Sequence, residues 1–109
     1  MTIKEKDGIW IVVTEERLDA LEAPKVKDAV KKLAEEGNLK ILIDMGKTRF
    51  IDSAGCGSLV ASLRTLAKNK GDMKIASPSA QVQTLFELTR LHRIFEIFDD
   101  VEGAVKSFS

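Results

Sequence analysis

The chain has 109 residues, 44% of them hydrophobic and 31% charged, and its 17 basic side chains balance its 17 acidic ones. This is the length of a single domain, expected over residues 1–109, and a chain without net charge is not expected to be a dedicated binder of nucleic acid or of anionic membranes. One cysteine and one histidine exclude a disulfide scaffold and a multi-cysteine zinc site. The sequence shows no apolar leader and no apolar run approaching the roughly 20 residues of a membrane span, so we expect a cytoplasmic protein.

The first predicted element is a β-hairpin. Its arms, Thr2–Lys6 and Ile9–Thr14, flank Asp7-Gly8, a two-residue turn favoured between paired strands because glycine accepts a positive φ. The second arm is continuously apolar at its centre, so both of its faces are expected to be covered. A polar stretch over residues 15–22 follows and leads into the first helix.

Four helices and three further strands are predicted after the hairpin. The helices are recognised by apolar residues spaced at i, i+3, i+4 and i+7. They are predicted from Pro24 to the stop at Gly37-Asn38, from Ser53 or Ala54 to about Asn69, from Ser77-Pro78-Ser79 through Leu88, and from Val101 to Phe108. The strands are short apolar runs at Leu39–Met45, Met73–Ala76 and Ile94–Phe98, with a further strand segment at Phe50-Ile51. The order β-β-α-β-α-β-α-β-α predicts an α/β fold with a mixed sheet covered by helices.

Two patterns that suggest catalysis have simpler explanations. Gly46-Lys47-Thr48 resembles the end of a phosphate-binding loop, but the glycine required five residues earlier is replaced by Ile41. Cys56 and His92 could form a nucleophile–base pair, yet Cys56 lies on the apolar stripe of its helix and is most simply a small buried hydrophobe. No second histidine is available for a serine triad, so a hydrolase is not favoured.

The segment Asp52 to Ser58 conflicts with its predicted helical structure. Gly55 and Gly57 fall in the first two turns, where each destabilises a helix by about 1 kcal/mol relative to alanine. Their missing side chains would leave backbone open to close approach by another molecule. Ser53 lies at the helix N-terminus, where the dipole favours added negative charge. A simple helix cap by Asp52 or Ser53 would leave the glycines unexplained, so this segment is the candidate functional site.

The run Phe50-Ile51-Asp52-Ser53-Ala54-Gly55-Cys56-Gly57-Ser58-Leu59 resembles the signature of the STAS domain family, in particular of its small free-standing bacterial members, the anti-sigma-factor antagonists. Arg17-Leu18-Asp19 followed by Ala23-Pro24 looks like the family's loop before its first helix, and Leu85-Phe86-Glu87-Leu88 followed by Ile94-Phe95 looks like its last third. The resemblance therefore extends over the whole chain and implies a single STAS-like domain.

The resemblance implies a partner switch. In such proteins the serine after the aspartate, here Ser53, is phosphorylated by the anti-sigma factor, itself a serine kinase. The unphosphorylated form binds that kinase and frees a sigma factor, and a serine phosphatase resets the switch. Partner-binding positions carried over to this chain are Asp19, Asp52, Ser53, Ala54, Gly55, Gly57 and Ser58. No catalytic residue, metal or cofactor is implied, and the free protein is expected to be a monomer or weak dimer.

Two departures and three alternatives accompany this resemblance. Glu16 stands where the family often has glycine, and Ala54 replaces a frequent serine or threonine, which leaves Ser53 as the only phosphorylation candidate in the core motif. The chain could instead serve a stressosome-like complex or a membrane transport assembly. It could also be a small nucleotide-binding or nucleotide-hydrolysing protein that holds phosphate with Lys47 and the helix start at Ser53, or a structural adaptor with no switching role.

Overall fold

Strands and helices alternate along the chain as the sequence predicts. The computed structural model describes all residues from 1 to 109. The strands are β1 (Thr2–Lys6), β2 (Ile9–Val13), β3 (Arg17–Leu18), β4 (Lys40–Asp44), β5 (Phe50–Ile51), β6 (Asp72–Ala76) and β7 (Ile97–Phe98). The helices are α1 (Ala23–Glu35), α2 (Ser53–Lys68), α3 (Ala80–Leu88) and α4 (Val101–Ser107).

Five of the strands form one mixed sheet in the order β1-β2-β4-β6-β7. The β1–β2 pair is antiparallel and the other pairs are parallel, which confirms the predicted α/β class with a mixed sheet. Asp7 and Gly8 join β1 to β2 with φ angles of 55° and 81°. Positive φ at both central residues is what a tight hairpin turn of this hand requires, so the predicted hairpin is confirmed.

The sheet has helices on both faces. One apolar cluster packs α1, α2 and α3 against the side of the sheet that Val12, Ile43 and Ile75 occupy. A smaller cluster on the opposite side joins Ile9, Ile11 and Val13 to α4. Strand β2 is therefore covered on both faces, as its continuous apolar sequence predicts. None of the helices combines the length and the apolar composition that crossing a bilayer requires.

A second, two-stranded sheet pairs β3 with β5 in parallel, with Arg17 opposite Phe50 and Leu18 opposite Ile51. The segment at Phe50-Ile51 is predicted from the sequence, but residues 15–22 show only a polar stretch there, without a strand. A two-residue strand cannot display the alternation that reveals longer strands, and only the buried Leu18 marks it. Because the two strands are parallel, the loop after β3 lies beside the start of α2.

The last predicted strand was too long. Residues Ile94–Phe98 were expected to be extended, but only Ile97 and Phe98 pair with β6. Before them, Leu91–Arg93 forms a 3₁₀ turn entered through Arg90 at φ 61°. The turn buries Phe95 and leaves Ile94 53% exposed. An apolar run was thus divided between a turn and a strand, which hydrophobicity alone does not distinguish.

Candidate functional site

Asp52 determines where α2 begins. It is extended, with φ −109° and ψ −173°, and its carboxylate oxygen Oδ1 accepts a hydrogen bond from the Gly55 amide at 2.9 Å. This is N-capping, which stabilises a helix by about 1 kcal/mol. The hypothesis that Asp52 is a helix cap is therefore confirmed. It does not account for Ser53 or for the glycines.

Ser53 is the first residue of α2 and its side chain is exposed. Because the Asp52 carboxylate caps the helix, the Ser53 hydroxyl is not needed for that purpose. The Ser53 and Ala54 amides precede the first hydrogen bond inside the helix and carry the partial positive charge of its N-terminus. The hydroxyl is therefore both accessible and placed where added negative charge is tolerated.

Gly55 and Gly57 have different roles. A Cβ on Gly55 would lie 2.2 Å from the Leu18 carbonyl oxygen and 2.7 Å from Cγ1 of Ile51, so only glycine lets α2 pack against β3 and β5. The interpretation that Gly55 keeps the surface open for a partner is therefore wrong, because this glycine serves an internal contact. Gly57 is exposed, and a Cβ there would meet no atom within 4 Å. Close approach from outside remains a prediction for Gly57 alone.

Ser58 is turned into the protein. It is 5% exposed, and its hydroxyl donates to the Gly55 carbonyl oxygen at 2.7 Å. The side chain of Ser58 therefore offers almost no surface for the predicted contact with a partner. Ala54 is partly exposed on the same side as Gly57. Of the predicted positions on α2, the structure brings Ser53, Ala54 and Gly57 to the surface.

The loop after β3 is ordered by Asp19. Its Oδ1 accepts from the Leu21 and Glu22 amides at 3.1 and 3.3 Å, and Oδ2 lies 3.5 Å from Nε of Arg17. Desolvation by itself raises the pKa of Asp19, but the two amides and the Arg17 guanidinium outweigh it and lower the pKa below its ordinary value. Asp19 therefore supports the loop from within while remaining partly accessible.

Leu21 lies in the loop of residues 17–22, which is expected from the sequence to contact the partner, although Leu21 itself was not among the predicted partner-binding residues. Its side chain is 81% exposed at the tip of the Asp19 turn, on the loop that the β3–β5 pairing brings beside the start of α2. A single exposed leucine is common on protein surfaces, and it is the position of Leu21 beside the start of α2 that makes it a candidate contact. The signal was an apolar residue in a mainly polar stretch that also contains Leu18, outside any periodic pattern.

The alternative chemical groups do not assemble into a site. Thr48 is buried and donates to the Glu15 carbonyl oxygen at 2.6 Å, and strand β5 rather than a helix follows, so Gly46-Lys47-Thr48 is a structural turn. His92 lies in the 3₁₀ turn with Nδ1 3.2 Å from the Phe86 carbonyl oxygen. Burial, followed by the nearby Asp52 carboxylate, raises the pKa of the Cys56 thiol, which opposes nucleophilic use. No group of three histidine, cysteine or acidic side chains is placed to hold a metal ion.

The chain is similar to known proteins over nearly its whole length. Residues 1–104 match the family model of the STAS domain. The anti-sigma-B factor antagonist of Listeria monocytogenes serovar 1/2a is 32% identical over 102 residues, which cover 93% of this chain and 89% of that protein.

Solved structures have the same fold. A Thermotoga maritima protein named as a candidate anti-sigma factor antagonist superposes with a TM-score of 0.91 at 26% identity, over 97% of this chain and 92% of that one. The Bacillus cell fate determinant SpoIIAA, in its phosphorylated form, superposes with a TM-score of 0.78 at 16% identity, over 99% and 98% of the two chains. With a family model matched almost from end to end, this chain belongs to the STAS domain family.

Proposed function

We propose that the chain is an anti-sigma-factor antagonist controlled by phosphorylation of Ser53. The observation that carries the proposal is the exposed, uncommitted Ser53 hydroxyl at the N-terminus of α2, next to an aspartate that already caps the helix. The similarity to anti-sigma-B factor antagonists supports the regulatory part of the proposal. Sigma factors and ATP are cytoplasmic, so the switch acts there.

The chain is the substrate of the phosphorylation step and not its catalyst. The partner is an anti-sigma factor with serine kinase activity, and it holds ATP. Oγ of Ser53 attacks the γ-phosphorus, the bond from that phosphorus to the β,γ-bridging oxygen breaks, ADP leaves, and a base of the kinase takes the hydroxyl proton. A serine phosphatase reverses the state by hydrolysing the phosphoester. The chain contributes an accessible hydroxyl on the first residue of a helix whose start is fixed by the Asp52 cap.

Phosphoserine 53 is compatible with the fold. The phosphate adds about −1.5 to −2 charges at pH 7, at a helix end whose free amides favour negative charge. Ser53 is exposed, so the phosphate displaces no packed side chain. The modification therefore acts on binding while leaving the folded state intact.

Binding changes because the phosphate lies in the contact surface. We assign that surface to Leu21, Ser53, Ala54 and Gly57, with Asp19 holding the loop and Asp52 the helix end. A phosphate there adds bulk and negative charge. The charge must be desolvated when a partner binds, and it repels acidic groups on that partner. A difference of about 3 kcal/mol in binding energy changes the affinity by roughly a hundredfold, which is enough to release the partner.

The test uses the purified chain, purified anti-sigma factor and ATP. Wild type is expected to bind the anti-sigma factor and to take up one phosphoryl group, and Ser53→Ala is expected to bind but remain unlabelled. Ser53→Glu should bind at least tenfold more weakly with an unchanged unfolding midpoint. Ser79→Ala is the control: Ser79 lies at the N-terminus of α3, where its hydroxyl accepts from the Val82 amide, and this variant should still take up one phosphoryl group. Phosphate incorporated into Ser53→Ala, or equal affinity of Ser53→Glu and wild type, would contradict the proposal.

A further inference from the structure

An open groove runs between α1 and α2 and begins beside Ser53. It has a volume of about 540 Å³, and its lining extends along α2 from Ala54 to Thr65. At 1.5 Å per residue this length is about three helical turns, on the order of 16 Å. The groove is thus continuous with the surface assigned above to the anti-sigma factor.

The walls of the groove carry more positive than negative charge, although the whole chain is neutral. Lys27 and Lys31 line it from α1, with Asp28 the one acidic side chain in the lining. Two exposed basic residues on α2, Arg64 and Lys68, lie seven residues after Gly57 and Ala61 and so on the same side of the helix. On α1, the acidic residue Glu35 lies one turn after Lys31. Lys27 and Lys31 take part in no ion pair, whereas Lys25 on the same helix is paired with Glu22 at 2.9 Å.

The floor of the groove permits a close approach. Gly57 and Ala61 lie one turn apart on α2, and a Cβ on Gly57 would still meet nothing within 4 Å. The distance between the axes of packed helices, about 8–10 Å, depends on the side chains at the contact, so the small residues on this floor favour a close approach, and a groove between two helices matches the shape of a third. The shape therefore suits a helix, and the unpaired lysines suit a helix that carries carboxylates.

We propose that the α1–α2 groove receives an acidic helical segment of the same anti-sigma factor that binds at Ser53. This inference rests on the proposed function and adds the chemistry of the partner. Carboxylates on the segment face Lys27 and Lys31, and its narrow side rests on Gly57 and Ala61. Phosphate on Ser53 then stands at the mouth of a groove occupied by negative charge, and like-charge repulsion weakens the complex.

The test compares two neighbouring lysines on α1. Lys31→Glu reverses a charge in the groove, while Lys32→Glu makes the same change one residue away on another face of the helix. We expect Lys31→Glu to weaken binding of purified anti-sigma factor at least tenfold, and Lys32→Glu less than twofold, by calorimetry. The difference between them should shrink in 1 M salt, where the Debye length falls to about 3 Å.

A second pair of variants tests the shape of the groove. Ala61→Trp fills the floor, and Ala67→Trp places the same side chain on α2 outside the lining. Ala61→Trp is expected to reduce affinity at least tenfold and Ala67→Trp to leave it unchanged, with thermal melts verifying that both fold.

The outcomes separate the two proposals. Binding by wild type with equal losses in Lys31→Glu and Lys32→Glu would overturn the acidic helix and leave the switch at Ser53 standing. Tighter binding by Lys31→Glu would also overturn it, because the partner segment would then be basic. A wild-type chain that does not bind the anti-sigma factor at all overturns the proposed function and the groove proposal with it.

Discussion

Asp52 and Ser53 are neighbours with different physical roles. The Asp52 carboxylate is used inside the chain, where it satisfies the Gly55 amide. The Ser53 hydroxyl is left to solvent at the same helix end. An aspartate that caps the helix allows the serine to change its chemical state without loss of the cap. Under the proposed function, the Asp-Ser pair is therefore a structural residue followed by the residue that is modified.

The two glycines of α2 give opposite predictions for stability. Gly55→Ala forces a Cβ against the Leu18 carbonyl oxygen, and we expect it to lower the free energy of unfolding by about 1–3 kcal/mol. Gly57→Ala meets nothing and removes a flexible residue from a helix, so it should raise that free energy by up to about 1 kcal/mol. Urea unfolding of both variants measures the difference. A loss of stability in Gly57→Ala equal to that in Gly55→Ala would contradict these roles.

Cys56 provides a chemical probe of the same helix turn. Burial, and then the Asp52 carboxylate, raise the pKa of its thiol above the ordinary value of 9.0. The neutral thiol is therefore favoured, and alkylation by iodoacetamide in the folded protein should stay slow at pH 8 and accelerate only as the pH rises past that value. The unfolded chain in urea is the control and should react faster at pH 8. Equal rates in the two states would show that the thiol is neither buried nor near a negative charge.

Among the elements, the short β3–β5 pair positions the site with only two residues in each strand. Its parallel register places the Asp19 loop next to the start of α2, and Gly55 is the close contact that makes this possible. The 3.6-residue periodicity predicted the four helices, and continuous apolar runs predicted the central strands. It could not predict β3, where the only signal is one buried leucine in a polar stretch.

Helix α4 depends on one buried lysine. Nζ of Lys74, on β6, donates to the carbonyl oxygen and the hydroxyl of Ser107 at 3.1 and 2.9 Å and lies 4.5 Å from the Phe108 ring centre. It thereby satisfies a carbonyl at the negative end of a seven-residue helix that has little stability of its own.

Removing that charge is expected to loosen α4. Lys74→Met keeps most of the apolar stem and loses the charge and its hydrogen bonds, and a hydrogen bond to a charged group contributes about 1.5–3 kcal/mol. Amide exchange over residues 101–108 should then speed up by roughly tenfold or more, by mass spectrometry, while α2 changes little. Lys68→Met is the control, since Lys68 is exposed and in no ion pair. Unchanged protection of α4 in Lys74→Met would show that the apolar contacts hold it alone.

At the scale of the whole molecule, net charge conceals an uneven distribution. The chain is neutral overall, and from the sequence that balance gave no preference for a partner of either sign. The fold brings Lys27 and Lys31 to one groove and the Asp19 and Asp52 carboxylates to the Ser53 end. Which charges share a surface depends on the packing of α1 against α2, and this could not be predicted from composition.

The sequence predicted the fold class and the segment that carries the site, but not the division of tasks within it. Gly55 and Gly57 look alike in the motif, and only their surroundings separate an internal contact from an open surface. Ser58 looks as available as Ser53 until its hydroxyl is seen to donate inward. These differences arise from long-range packing of α2 on β3, which a local pattern does not encode.

Phosphopeptide and intact-mass analysis of the protein purified from its own cells is the experiment that shows whether Ser53 is phosphorylated. Samples from growing and stressed cells are compared. The account predicts one phosphoryl group, on Ser53, whose occupancy changes between the two conditions. An unmodified Ser53 under every condition, or a phosphoryl group on another residue, would contradict it and favour a constitutive binding module.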